Sequence, residues 1–279
     1  MVQYKKRLKI ICIATLAIAK FGNAQRVDQA FNTLDPITVI SRNLKLKDST
    51  SPFSLTVLDS KKLKSVDHRS TPESLMGSGG LFIQKTNHGG GSTFIRGLTG
   101  NQILLLVDGI RLNNSTYRYG PNQYLNSIDL FNVSKIEVAK GVGSVEYGSD
   151  ALGGVINMVT IGKNFTDLKK VNASNISKFI SSNMEQTNRS DLSFTCKSLT
   201  IDGGISFKKF GDLLGGGNIG KQVPSGYTEF DYDVKVKIKT SINSMVTLFS
   251  QESKQYNIPF YHKIVLHLSL KSILLRQCP

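Results

Sequence analysis

Between Phe230 and Lys239 the chain alternates without a break, with Phe230, Tyr232, Val234, Val236 and Ile238 on one parity and Asp231, Asp233, Lys235, Lys237 and Lys239 on the other. Only an extended strand sorts a period of two onto opposite faces, so this stretch predicts a strand with one apolar and one charged side. Weaker copies precede it: Leu192, Phe194 and Cys196 against Asp191, Ser193 and Thr195, then the row Ile201, Gly203, Ile205 and Phe207. An apolar row outward and a charged row inward suits a lipid-exposed strand around a wet lumen. An amphipathic sheet in a soluble protein has the same period, and the pattern alone leaves both open.

Upstream, over residues 35–160, short apolar runs alternate with Gly, Ser and Asn clusters. Residues 53–58, 81–85, 92–96, 103–107, 136–139 and 155–160 are predicted strands. Residues 60–66 are predicted as a helical turn opened by Asp59 or Ser60, and Thr71-Pro72-Glu73 starts a second helix by the cap-then-Pro arrangement. The fold class expected is an α+β domain with a small mixed sheet, followed after residue 160 by antiparallel strands.

The densest signal is a series of short motifs: Phe94-Ile95-Arg96-Gly97, then Leu104-Leu105-Leu106-Val107-Asp108-Gly109-Ile110, Ile136-Glu137-Val138, Gly143-Ser144-Val145-Glu146-Tyr147-Gly148 and Gly153-Gly154-Val155-Ile156-Asn157. In this order and spacing they resemble the plug domain of TonB-dependent outer-membrane receptors. The resemblance implies a plug over residues 35–160 and the start of a transmembrane β-barrel over residues 161–266. It also implies that charged plug residues pair with the barrel wall, and Arg96, Glu137 and Lys140 are the candidates for that contact. A solvated surface position is the alternative for Arg96. Lys140 stands where the family usually has Arg, keeping the charge but losing the bidentate fork. Glu146 stands where an apolar residue is usual, and if buried it needs a partner.

Asp35, Pro36, Ile37, Thr38 and Val39 resemble the TonB box, the segment that the energy-coupling protein TonB grips. An early Pro followed by β-branched residues suits strand addition to a partner's sheet edge; the alternative is the first edge strand of the domain. Three polar loops, residues 86–91, 99–102 and 113–122, correspond to the family's ligand-facing apices, with Asn87, His88, Asn101, Gln102, Tyr117, Arg118, Tyr119 and Asn122 as candidate ligand contacts. The wording of the second and third loops resembles the branch that handles haem or haem proteins. The transported ligand expected is therefore an iron complex, haem first, with siderophore or vitamin B12 as alternatives. His88 is a candidate haem-iron ligand; an ordinary solvated loop histidine is the alternative. No resident cofactor or metal is expected.

The first 24 residues have the three parts of a secretion signal: a basic start at Lys5, Lys6, Arg7 and Lys9, an apolar core, and a small-residue site at Gly22-Asn23-Ala24. Residues 25–34 then form a short leader. Removal of the signal lowers the formal charge from +15 to +10. The remaining Lys and Arg are scattered rather than massed, so no nucleic-acid partner is expected; outer-membrane lipid is. Cys12 falls in the signal, and Cys196 with Cys278 gives neither a disulfide framework nor zinc spacing. Gly141-Val142-Gly143 lacks the third glycine of a dinucleotide loop and no phosphate loop is present, so no enzyme is expected.

Residues 258–266 resemble an early barrel hairpin of the family, whereas residues 267–279 match nothing in it. Transporters of this kind use about 22 strands, and residues 169–266 supply roughly five at 9–11 residues each. The expectation from the sequence is a truncated, transport-incompetent chain, from a frameshift or early stop. The rival reading is an exported soluble binding module using the same loops.

Overall fold

The computed structural model describes residues 40–41, 44–45, 54–85, 90–113, 120–121, 124–141, 143–241 and 244–259, all within one compact unit, residues 36–279. A minimal antiparallel pair, β1 (Ile40–Ser41) and β2 (Leu44–Lys45), comes first. β3 (Ser54–Leu58) leads into α1 (Ser60–Ser65), capped by the Asp59 carboxylate, which accepts the Lys62 N–H at 2.8 Å. α2 (Thr71–Ser74) has Pro72 in its first turn, where the missing N–H costs nothing. β4 (Leu81–Lys85), β5 (Gly91–Ile95) and β6 (Leu98–Thr99) form a three-stranded antiparallel sheet.

β7 (Ile103–Val107), β8 (Ile110–Arg111), β9 (Val133–Lys140), α3 (Ser144–Tyr147) and β10 (Gly154–Thr160) complete the first domain. Its five-stranded sheet has the order β3-β9-β10-β7-β8, parallel only between β10 and β7. This is the mixed sheet expected. The unbroken apolar run of β7 is buried along its whole length, as a strand covered on both faces requires. Leu75, Ile95, Ile136, Val138, Ile156 and Met158 are fully buried around it. β9 is longer than the four residues expected at 136–139, because Val133 and Lys140 at its ends still pair with β10.

β11 (Lys170–Ile180), β12 (Glu185–Thr195), β13 (Leu199–Phe210), β16 (Tyr227–Lys239) and β17 (Met245–Tyr256) form an open antiparallel sheet of five neighbours in that order. The connection from β13 to β16 carries a small hairpin, β14 (Leu213–Gly215) with β15 (Gly220–Gln222). The long strands have 11 to 13 residues, enough for a tilted strand to cross a bilayer. Leu192, Ile201, Ile205, Phe207, Phe230, Val234 and Ile238 are exposed on one face, while Arg189, Asp202, Lys208, Asp231, Asp233 and Lys235 are buried on the other. The alternation is therefore as expected, but the wet lumen is not. Asp231, in the row expected to meet water, is 2% exposed, because the first domain packs against that face. Among the described residues, no helix is long and apolar enough to cross a membrane, which says nothing of strands.

Candidate functional site

The two sheets meet through charges. Asp129 begins a 3-10 turn, Leu130–Asn132, and its Oδ1 accepts the Phe131 N–H at 3.2 Å. The same carboxylate receives Arg189 Nη1 of β12 at 2.9 Å, Lys208 Nζ of β13 at 2.9 Å, and the Ser206 hydroxyl. Arg189 also reaches Asp191 at 2.7 Å and Asp233 at 2.8 Å, and Lys208 reaches Glu229 at 2.7 Å and Asp231 at 2.8 Å. The Lys208 ammonium lies 5.9 Å from the centre of the Phe131 ring. A Cβ on Gly204 would come within 2.1 Å of the Arg189 guanidinium, so glycine there makes the room that the cation occupies. Burial alone would raise the Asp129 pKa. The Lys208 and Arg189 charges outweigh it and hold the carboxyl below its ordinary value.

A second contact lies at the β7–β8 turn. Asp108 has φ 50° and Gly109 φ 79°, the paired left-handed conformation of a tight hairpin, which Asp tolerates and Gly adopts freely. The Asp108 carboxylate accepts the Thr160 N–H at 2.9 Å and hydroxyl at 2.6 Å, and Lys235 Nζ of β16 at 2.8 Å. Lys235 also touches the Thr160 hydroxyl and sits 5.4 Å over the Phe249 ring. A third contact ties the α1–α2 linker to the β11–β12 hairpin: Glu185 meets Arg69 at 3.9 Å and Lys178 at 3.4 Å, and Lys178 donates to the carbonyls of Asp67 and His68. Burial lowers the His68 pKa. Beside these contacts runs a cavity of about 630 Å³, lined among others by Leu63, Val66, Asn132, Ser174, Asp191 and Asp202.

Arg96 is exposed at the β5–β6 turn with φ 52° and has no ion pair among the described residues. Glu137 is buried, bonded to Lys135 at 2.6 Å and Asn157 at 2.9 Å within its own domain, because β9 lies between β3 and β10. Lys140 donates to the Gly79 carbonyl at 2.8 Å, again within the domain. The ion pairs to the described wall strands are made by Arg69, Asp108 and Asp129. Asn101 and Gln102 are half-buried in the 3-10 turn Gly100–Gln102. Asn113, at the start of the third loop, turns inward: its amide accepts the Leu105 N–H and donates to the Ile103 carbonyl, holding β7. Asp35, Pro36, Ile37, Thr38, Val39, Asn87, His88, Tyr117, Arg118, Tyr119, Asn122, the Glu146 side chain and the secretion signal lie outside the described residues.

A domain whose carboxylates grip the charged side of a sheet with an apolar outer face has the layout of a stopper held in a membrane wall. Residues 47–155 match the family model of the TonB-dependent Receptor Plug Domain. Residues 47–155 therefore form a TonB-dependent receptor plug domain. The plug is followed by five strands of an incomplete barrel wall. Over 158 residues the chain is 30% identical to the vitamin B12 transporter BtuB of Vibrio vulnificus, covering 56% of this chain and 25% of that protein. The BtuB of Photobacterium profundum is 26% identical over 157 residues, with 56% and 25% covered. Among solved structures, the copper transporter OprC superposes with a TM-score of 0.62 at 19% identity, over 72% of this chain and 31% of that one. A ferric enterobactin receptor of Pseudomonas aeruginosa superposes at 0.58 and 18% identity, over 76% and 34%. The chain thus spans about a quarter of the length of the curated relatives it matches.

Proposed function

We propose that this chain is the plug and first wall strands of an outer-membrane uptake receptor for a metal chelate, energised by TonB through residues Asp35, Pro36, Ile37, Thr38 and Val39. The observation that carries the reading is the buried Asp129 carboxylate, gripped by Arg189 and Lys208 from two wall strands. A soluble binding module has no use for an outer face bearing exposed Leu192, Ile205 and Phe207, whereas a wall in lipid requires one. The role is carriage rather than catalysis.

Two ligand classes are supported about equally. Loop wording and His88 favour an iron chelate, haem first; the curated relatives are named as vitamin B12 transporters, which favours a corrinoid. Deleting the gene from the cell that makes it and following uptake of labelled haem, ferric siderophore and cyanocobalamin separates them. Loss of one uptake activity, restored by the intact gene but not by one lacking residues 35–39, is the expected result. Unchanged uptake of all three would sink the proposal, and restoration without residues 35–39 would remove TonB coupling from it.

A further inference from the structure

The outer face of the wall is divided into two unlike halves. At one end of the strands lie the 211–226 connection, with its β14–β15 hairpin, and the turn 181–184; at the other lie the short connections 196–198 and 240–244. Barrel walls carry their longer loops outside the cell and their short turns inside, so the 211–226 end is the outer one. In the register row nearest that end, Gln186, Lys209, Thr228 and Tyr256 stand side by side. The next row inward has Asn188, Phe207, Phe230 and Lys254, and the third has Ser190, Ile205, Tyr232 and Glu252. Beyond it the face turns apolar but for Ser250: Leu192, Gly203 and Val234 come next to that serine, then Phe194, Ile201, Val236 and Leu248.

On β13 the apolar half runs from Leu199 to Gly203, and on β16 from Val234 to Ile238. At ~3.3 Å per residue and a tilt of about 45°, such a stretch spans roughly 12 Å, about half of the ~25 Å apolar band of a barrel. It fills the inner leaflet, and the polar and aromatic half faces the outer one. Within that half the Asn175–Ser190 and Asn188–Ser177 pairs satisfy each other at 2.8 Å and need no further partner. Lys209 is different: it is exposed and has no ion pair among the described residues. Lys254 meets Glu252 at 3.1 Å, with both side chains in large part exposed. An ammonium that faces lipid is costly unless an anion meets it, and a long Lys stem lets the charge reach the headgroup level.

We propose that this half of the outer face binds the headgroup of a phosphorylated glycolipid of the outer leaflet. Lys209 takes the phosphate, as a compact cation on a flexible stem. The Lys254–Glu252 pair presents donors and acceptors together, which suits the hydroxyls of a sugar and gives a phosphate alone no added contact. Phe230, on the strand between the two lysines, is 39% exposed and offers a ring face on which the apolar side of a sugar ring packs. The charge is confined to this half: the outward residues of the apolar rows are all uncharged, so the anion preference belongs to the outer leaflet alone. The inference rests on the outer-membrane reading of the wall strands.

The test uses the full gene product, extracted from outer membranes in mild detergent and titrated with diphosphorylated lipid A, lipid A stripped of its phosphates, and phosphatidylglycerol, with bound lipid read by native mass spectrometry. Lipid A is expected to bind about ten-fold more tightly than either of the others, the worth of one hydrogen-bonded charge. Equal binding of phosphatidylglycerol, or of the stripped lipid, would overturn the proposal. Lys209→Gln with Lys254→Gln is expected to lower lipid A binding to the level of the stripped lipid, and Lys209→Arg to retain it. Lys221→Gln, on the β14–β15 hairpin beyond the bilayer, is the reference and is expected to change nothing. Binding unaffected by the double substitution, or weakened as much by Lys221→Gln, would count against the site. The three-lipid comparison needs no variant and decides the matter even where the double substitution does not fold. Recovery of the unmodified chain only in soluble fractions would defeat the membrane reading itself, before any question of lipid preference arises.

Discussion

Asp129 has two functions: one oxygen helps to cap the turn that follows it, and both oxygens bind the wall. Asn at this position keeps an oxygen for the cap and removes the charge. Asp129→Asn is therefore expected to weaken the hold on the plug by about 3 kcal/mol, the cost of leaving buried cations short of a partner. Arg189 and Lys208 keep Asp191, Asp233, Glu229 and Asp231, all on the wall, so the strands themselves should survive. Faster proteolysis of residues 35–160 with unchanged heat-modifiable migration checks this; equal loss of both would mean that Asp129 stabilises the whole rather than the junction. Lys235→Met is the milder counterpart, since Asp108 retains the Thr160 N–H and hydroxyl. About 1 kcal/mol is expected by the same assay. Neither wall cation was readable from the sequence as a plug ligand. Asp129 and Arg189 are 60 residues apart, and only the docking of one sheet on another joins them. The signal that was present, a lone carboxylate between Ile128 and Leu130, marked a residue needing a buried partner without saying which.

At the level of elements, much was legible because local rules suffice. The Asp59 cap, Pro72 in the first turn of α2, the apolar run of β7 and the parity of β16 each follow from residues within a few positions of one another. What failed was the environment of a face. Parity told which side chains share a side of β16 but not whether water or protein covers it, and the charged row proved dry. The resemblance singled out Arg96, Glu137 and Lys140 as wall contacts; the described structure gives Glu137 and Lys140 partners inside the plug and leaves Arg96 exposed. The junction of β10 with β9 gives a direct test of the backbone. Gly154 has φ 156°, and a Cβ there would lie 2.5 Å from the Ala139 carbonyl oxygen and 3.1 Å from Ile95. Gly154→Ala is expected to destabilise the plug by about 2–3 kcal/mol through overpacking, read as a lower denaturant midpoint; a change within about 0.5 kcal/mol, the usual range for a neutral surface site, would mean that β9 and β10 can separate without cost.

For the whole molecule, the plug is held by a carboxylate that the cations of its seat keep charged. The Asp129 pKa is depressed in the folded state, so its contribution is present above the ordinary carboxylate range and is lost as pH falls through the folded value. Protease protection of the plug should therefore be level from neutral pH down to that range and fall only in stronger acid. Asp129→Asn should flatten that acid limb, and an unchanged limb would assign the acid sensitivity to other carboxylates. The dryness of the junction has one more consequence. Dissolved ions screen exposed pairs such as Lys254 with Glu252 over a Debye length of about 10 Å at 0.1 M salt, but they do not enter a site where Arg189 is 2% exposed. Brine and dilute medium should thus leave the Asp129 contact equally closed, whereas the Asp108–Lys235 and Arg69–Glu185 contacts, each with one partner part-exposed, loosen slightly as salt rises.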